Sequence, residues 1–178
     1  NCFVGFDAFQ RVIDSGVDVI LLATPPHFRP EHFAAAVAAD KHVFMEKPLA
    51  VDAPGIRSII SSAGQARTRN LCVVTGTQRR HQKQYIETWS RVAEGMIGDI
   101  VAARCYWNMS QLWYRERQPD WTDMEWMIRD WVNWTWLSGD HIVEQHVHNL
   151  DVVNWFTGKL PVSCIGFGSR HRRVTGDQ

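Results

Sequence analysis

Residues 140–151, Asp-His-Ile-Val-Glu-Gln-His-Val-His-Asn-Leu-Asp, gather three imidazoles and three carboxylates into one stretch of helical character. At about 100° per residue, His141, Glu144, His148 and Asp151 fall on a single stripe, leaving Ile142, Val143, Leu150, Val153 and Trp155 for packing. Imidazoles titrate near neutrality, and carboxylates can orient them; together they are what a proton-transfer site needs. The same spacing also suits a polar face turned to water. A third reading is a metal site for a lyase or hydrolase, because His141, Glu144 and His148 are of the types that ligate zinc or manganese. The chain has neither an H-E-x-x-H pair nor a C-x-x-C pair to go with it.

The elements that would position this helix read in order. Asp7–Ser15 has helical character, with Asp7 as cap and Gly16 as stop. Val17–Thr24 is a β-branched, apolar run of the kind expected in a parallel strand covered on both faces. It stops at Pro25-Pro26, and a helix fits Pro30–Ala39, with Pro30 tolerated in the first turn. His42–Met45 is a second strand ending in Glu46-Lys47-Pro48, a third helix spans Pro54 to about Ala66, and Leu71–Thr75 is a third strand. Strands and helices alternating at this spacing predict an α/β fold with an open parallel sheet, whose ligands bind beyond the carboxyl ends of the strands. Thr24-Pro25-Pro26, Glu46-Lys47-Pro48 and Gly76-Thr77-Gln78 leave those ends and should share one rim. No G-x-G-x-x-G phosphate loop occurs. Either the sheet does not bind a dinucleotide, or its first strand precedes Asn1.

Beyond Arg80 the pattern changes. A helix is expected from about Gln82 to Gly95, and Ile100–Trp107 looks like a strand opening a second domain. Residues 107–136 hold seven of the nine tryptophans, too apolar a stretch to stay solvated, so aromatic burial should order it. The histidine-bearing helix should run from Gly139 to Phe156 and close at Gly158, and Val162–Gly168 begins another strand.

Composition narrows the partners. Lys and Arg, 19 together, balance 19 Asp and Glu, so there is no basic surplus for nucleic acid, and no apolar run is long enough to span a bilayer. Cys2, Cys72, Cys105 and Cys164 are far apart and sit in mostly apolar runs, which favours buried free thiols. The chain starts at Asn1 and shows no signal peptide, so a start lying upstream is expected and localisation is left open.

With these segments in hand, the chain resembles the Gfo/Idh/MocA family of nicotinamide-dependent sugar and cyclitol oxidoreductases. Lys41-His42-Val43-Phe44-Met45-Glu46-Lys47-Pro48 is similar to the family's G-K-H-V-x-x-E-K-P signature, with Asp40 in place of glycine. Thr24-Pro25-Pro26-His27 resembles its cofactor-lining segment, and Glu144–Asp151 its D-x-G-x-H-x-x-D helix. The resemblance implies a partial doubly wound Rossmann domain over residues 1–80, followed by part of an α+β open-sheet domain over 81–178. It implies NAD or NADP as cofactor, held by Thr24, Pro25, Pro26, His27, Glu46, Lys47 and Gln78, and a polyol or sugar as substrate. Lys47, His148 and Glu144 would be catalytic, and Lys47, His148 and Asp151 would meet the substrate. His148 would take the hydroxyl proton, Lys47 would stabilise the oxyanion, and Glu144, standing for the family's aspartate, would orient the imidazole or hold a substrate hydroxyl.

His146 departs from the small residue usual in that helix. Arg29 stands where many relatives have histidine; it would suit an acidic substrate group or, more simply, lie at the surface. A homo-oligomer is implied for the full-length protein. This stretch alone, without a glycine loop, is expected to bind NAD(P) poorly. Two further alternatives stay open at this point: a relative that oxidises transiently to break glycosidic bonds, and a binder of the same fold without catalysis.

Overall fold

A computed structural model describes residues 2–110 and 112–169. Three short parallel strands, β1 (Val19–Leu22), β2 (His42–Met45) and β3 (Val73–Thr75), form one sheet in the order β1-β2-β3. The register pairs Leu22 with Met45 and Met45 with Thr75, so all three strands stop at one level.

Helices α1 (Ala8–Ile13), α2 (Arg29–Ala38) and α3 (Ala53–Thr68) supply the apolar layer against this sheet. Phe33, Ala36 and Val37 of α2 are fully buried against Ile20, Leu22, Val43 and Met45, with Ile13, Ile59 and Ala66 completing the core. A short 3-10 turn, Pro26–Phe28, leads into α2. Asp52 caps α3 by accepting from Gly55 N at 2.7 Å, while Asp7 makes no such bond at α1.

Period-two alternation decides which side of β1 is covered. Ile20 and Leu22 are buried, whereas Val19 is 54 % and Leu21 72 % exposed. The expected burial on both faces is therefore corrected to one, since α1–α3 contribute to a single core. The β1 edge away from β2 has no strand partner among the described residues.

After a 3-10 turn at Gln78–His81, α4 (Lys83–Ala93) follows. The expected strands Ile100–Trp107 and Val162–Gly168 do not form. Both are extended coil, and neither finds a ladder partner among the described residues; an isolated strand leaves its backbone groups to water. From Asp123 on, the tryptophan-rich region is helical: α5 (Asp123–Arg129), a 3-10 turn Trp131–Asn133, and α6 (Thr135–Ser138). Trp126 meets Trp134 edge-on at 5.2 Å and Trp113 meets Trp131 at 6.3 Å. Fully buried Asp130 ties the turn together, accepting from Arg115 N at 2.7 Å and Asn133 Nδ2 at 2.9 Å.

Gly139 closes α6 at φ +78°, and a Cβ there would lie 2.7 Å from Val143. A π-helical segment, Ile142–His146, then runs straight into α7 (Val147–Thr157), which ends at Gly158 with φ +64°. Trp89 of α4 stacks on Trp155 of α7 at 5.9 Å. The cysteines are free but not buried as expected: Cys2, Cys72 and Cys164 are exposed and Cys105 is half-buried. All four lie outside the helices and strands, where the packed core does not reach them.

Candidate functional site

The rim at the strand ends is built by the backbone. Glu46 N donates to Leu22 O at 3.0 Å and Gly76 N to Met45 O at 2.8 Å, which sets the exits of β1, β2 and β3 side by side. Gly76 has no room for a side chain, because a Cβ would come within 2.8 Å of the Glu46 carboxyl carbon and 3.0 Å of its Cα. Arg29 sits beneath the rim, 4 % exposed, donating to the carbonyls of Glu46 at 3.0 Å and Pro48 at 2.5 Å. The surface placement expected for Arg29 is thus wrong. Its guanidinium holds the backbone on both sides of Lys47, and burial pushes its pKa down against the opposing pull of Glu144 and Glu46.

Lys47 does not pair with its neighbour Glu46. Its amine donates across the molecule to Glu144, at 2.8 Å to Oε1 and 2.7 Å to the carbonyl oxygen. Glu144 is 7 % exposed, and its second carboxylate oxygen is buried without a hydrogen-bond partner among the described residues. Desolvation raises its pKa, outweighing the lowering by Lys47 and Arg29. This carboxylate holds the lysine rather than the imidazole, so the orienting role expected of Glu144 toward His148 falls to other groups.

His148 is 9 % exposed. Burial, then the cations Lys47 and Arg79, push its pKa from 6.5 down to about 4, against the opposite influence of Asp151. Its ring stacks on Trp107 at 5.7 Å with planes 24° apart. Lys47 and His148 thus stand on the same side of the molecule, close enough for one charge to move the other's titration.

Asp151 receives a bidentate grip from Arg80, at 2.8 to 3.1 Å, and both its oxygens are engaged. Arg79 donates to Asn149 Oδ1, and its guanidinium lies over Tyr85 and Trp107 at 5.6 and 5.5 Å. Asn149 Nδ2 in turn donates to Tyr106 O at 2.5 Å. Arg79, Arg80, Trp107 and Asn149 were not singled out from sequence. The one available signal was the basic turn Arg79-Arg80, placed directly after β3 at the rim.

The π turn corrects the expected stripe. Its i→i+5 pattern accommodates an extra residue, so positions before it rotate away from those after it. His141 is exposed, while Glu144 and His148 face inward. The metal reading built on His141, Glu144 and His148 therefore fails: Glu144 is bound to Lys47, and the described residues form no set of three or more His, Cys, Asp and Glu side chains suited to a metal ion. His146 turns to Cys105, 3.4 Å from Nε2 to Sγ.

Two cavities flank the rim. One, of about 550 Å³, is lined by Lys47, Thr75, Thr77 and Asp151 among apolar Ile56, Val143 and Val147. The other, of about 450 Å³, is apolar and runs along β1, with Thr24 and Pro25 at its end and Phe6, Phe9 and Leu21 along it. Pro26 is fully buried, which leaves its ring no surface for a ligand, and His27 is exposed and turned edge-on to Trp136 at 5.0 Å. Of the expected cofactor residues, Thr24, Pro25, Glu46, Lys47 and Gln78 lie at or beside the rim.

A family model described as an oxidoreductase family with an NAD-binding Rossmann fold matches residues 3–88, the span that carries the sheet and the Lys47 rim. The match places residues 3–88 in the Gfo/Idh/MocA oxidoreductase family. The chain is 28 % identical over 149 residues to the inositol 2-dehydrogenase/D-chiro-inositol 3-dehydrogenase of Lactiplantibacillus plantarum, covering 84 % of the chain and 36 % of the relative. It is 32 % identical over 143 residues to inositol 2-dehydrogenase 1 of Saccharopolyspora erythraea, covering 80 % of the chain and 41 % of the relative. Among solved structures, scyllo-inositol dehydrogenase from Lactobacillus casei with bound NAD(H) and scyllo-inositol superposes with a TM-score of 0.59 at 25 % identity, over 84 % of this chain and 40 % of that one. The chain thus spans about two fifths of the length of these relatives.

Proposed function

We propose that the protein of which these residues form part is a nicotinamide-dependent oxidoreductase acting on a secondary hydroxyl of a cyclitol or related polyol. The observation that carries this reading is the meeting of Lys47, on the β2 rim, with Glu144 and His148 on the π-turn helix. The family match over residues 3–88 and the inositol dehydrogenases among its relatives support the substrate class.

The residues present fit the nicotinamide end of the cofactor. Thr24, Pro25, Glu46 and Gln78 follow the aligned ends of the same three strands as Lys47, and the bare Cα of Gly76 lets the strand ends approach closely. No described segment offers a glycine-rich cradle for a pyrophosphate, so these residues would hold only part of a dinucleotide. Bound there, the nicotinamide supplies the hydride acceptor or donor.

What the chain's own groups do follows from their charge states. His148 is neutral at physiological pH and takes the hydroxyl proton at a ring nitrogen. A base with a pKa near 4 is a weak one, and it removes a proton only from an alcohol that is itself acidified. The Lys47 ammonium does this by stabilising charge on the same oxygen. Glu144 holds the ammonium with one carboxylate oxygen, which keeps the lysine charge in place beside the cavity. Asp151, fully engaged by Arg80, acts by buttressing the helix beside the cavity.

The test is turnover of inositols by the full-length protein with NAD or NADP, followed by nicotinamide absorbance. Lys47→Met should lower kcat by at least about a hundredfold. Release of the aglycone from a glycoside without net absorbance change would instead indicate redox-neutral glycoside cleavage, and normal inositol turnover by Lys47→Met would overturn the assignment.

A further inference from the structure

We propose that Arg79 and Trp107 are positioning residues for His148: they fix the plane of its ring and hold it as the uncharged group opposite Lys47. The inference rests on the proposed role of His148 as proton acceptor and deepens it.

The geometry is a closed circuit of contacts around one ring. Trp107 lies nearly parallel to the imidazole, 24° between planes at 5.7 Å, so it covers a face and leaves the edge that bears the nitrogens uncovered. Arg79 reaches the same indole, its guanidinium carbon 5.5 Å from the ring centre, and lies over Tyr85 on its other contact. The guanidinium also donates to Asn149, the residue after His148, and Asn149 donates to the carbonyl of Tyr106, the residue before Trp107. Cys105 against His146 adds a third contact between the two segments. The coil around Trp107 has no ladder of its own, so it is docked on the helix by these contacts, each within two residues of His148.

Charge follows from the same arrangement. Lys47 comes from the β2 exit, Arg79 from the turn after β3, and Asp151 from one turn further along α7; these are the charges that act on the ring. Asp151 is already neutralised by the two-pronged grip of Arg80, so its pull on an imidazolium is reduced. Two cations then oppose protonation of a ring that Trp107 shields from water. A planar guanidinium stacked between Tyr85 and Trp107 is held in one place, where the flexible ammonium of a lysine would move.

The experiment is a histidine-labelled NMR titration of the full-length protein, which reads His148 whether or not the protein turns over polyols. Wild-type His148 should titrate near 4. Arg79→Met should raise that value by roughly half a unit to one unit, and Trp107→Leu should raise it comparably by admitting water. Trp107→Phe should restore the low value, and Arg69→Met, which removes a cation paired with distant Asp40, should leave it unchanged. In turnover, the acid limb of the kcat profile should move with the titration while KM changes little. Titrations of Arg79→Met and Trp107→Leu within about 0.2 units of wild type would overturn the inference. Should Arg79→Met fail to fold, the Trp107→Leu and Trp107→Phe pair decides alone. Turnover with an unmoved His148 titration sinks this inference only; a shifted titration without turnover sinks the dehydrogenase reading instead.

Discussion

Replacing Lys47 by methionine keeps the length of the side chain and removes its charge, and the structure fixes what is left behind. The pair is 16 % and 10 % exposed, with 2.8 Å between amine and carboxylate and a second bond at 2.7 Å to the Glu144 carbonyl. Removing one member of a pair this buried strands the other charge, a loss of about 3 kcal/mol. Glu144→Gln keeps an acceptor for the lysine and removes the charge, so it should destabilise by roughly 1–2 kcal/mol. In the double variant no buried charge is left unpaired, and its stability should exceed the sum of the singles by about 2 kcal/mol. Urea unfolding of the full-length protein measures all four corners. The pH dependence has a definite sign. The folded-state pKa of Glu144 is raised, and loss of Lys47 raises it further, so the folded state holds a proton that the unfolded state releases. Stability of Lys47→Met should therefore recover as pH falls through the folded-state value of Glu144 and be poorest above it. Additive effects, or a Lys47→Met loss independent of pH, would refute the buried-pair argument.

His148, whose pKa falls from 6.5 to about 4 on folding, binds a proton in the unfolded chain first; stability should rise from about pH 4 to 6.5 by up to roughly 3 kcal/mol. Comparing midpoints of urea unfolding with those of His148→Gln isolates this contribution. Gly139→Ala meets both a positive φ and the Val143 side chain, so thermal melts should show a loss of about 1–3 kcal/mol. Arg80→Met releases a pair that is 39 % and 20 % exposed, and the loss should be nearer 1 kcal/mol and shrink in high salt.

The parallel sheet was legible because its signals are local. Each strand is a short β-branched or apolar run ended by proline or glycine, and each helix has its breaker, so β2 was read to the residue and the others to within two. Coverage of β1 was not legible, since burial on a given face depends on what packs there and not on the run itself. The strands predicted at Ile100–Trp107 and Val162–Gly168 failed for the same reason: propensity cannot supply a ladder partner. At the site, Lys47, Glu144 and His148 stood out by type and by resemblance. Their pairing did not, because a π turn adds a residue to a helix without any mark in a 3.6-residue period. Arg29 was misplaced because a charged residue at a helix start is ordinarily solvated, whereas here the two carbonyls beside Lys47 and the carboxylates of Glu144 and Glu46 make its burial tolerable. Arg79 and Trp107 are 28 residues apart in sequence, and no spacing rule links a turn to a coil.

One consequence of the sheet reaches beyond catalysis. Along its free side β1 has no strand partner among the described residues, and the exposed side chains of Val19 and Leu21 lie on the same strand. Such a border invites another polypeptide to add itself as a neighbouring strand. Preparations of this stretch by itself should accordingly drift toward aggregates as concentration rises, and a dimer seen in them would record borders zipping together. Such a dimer would report on this exposed border and not on any other face of the protein.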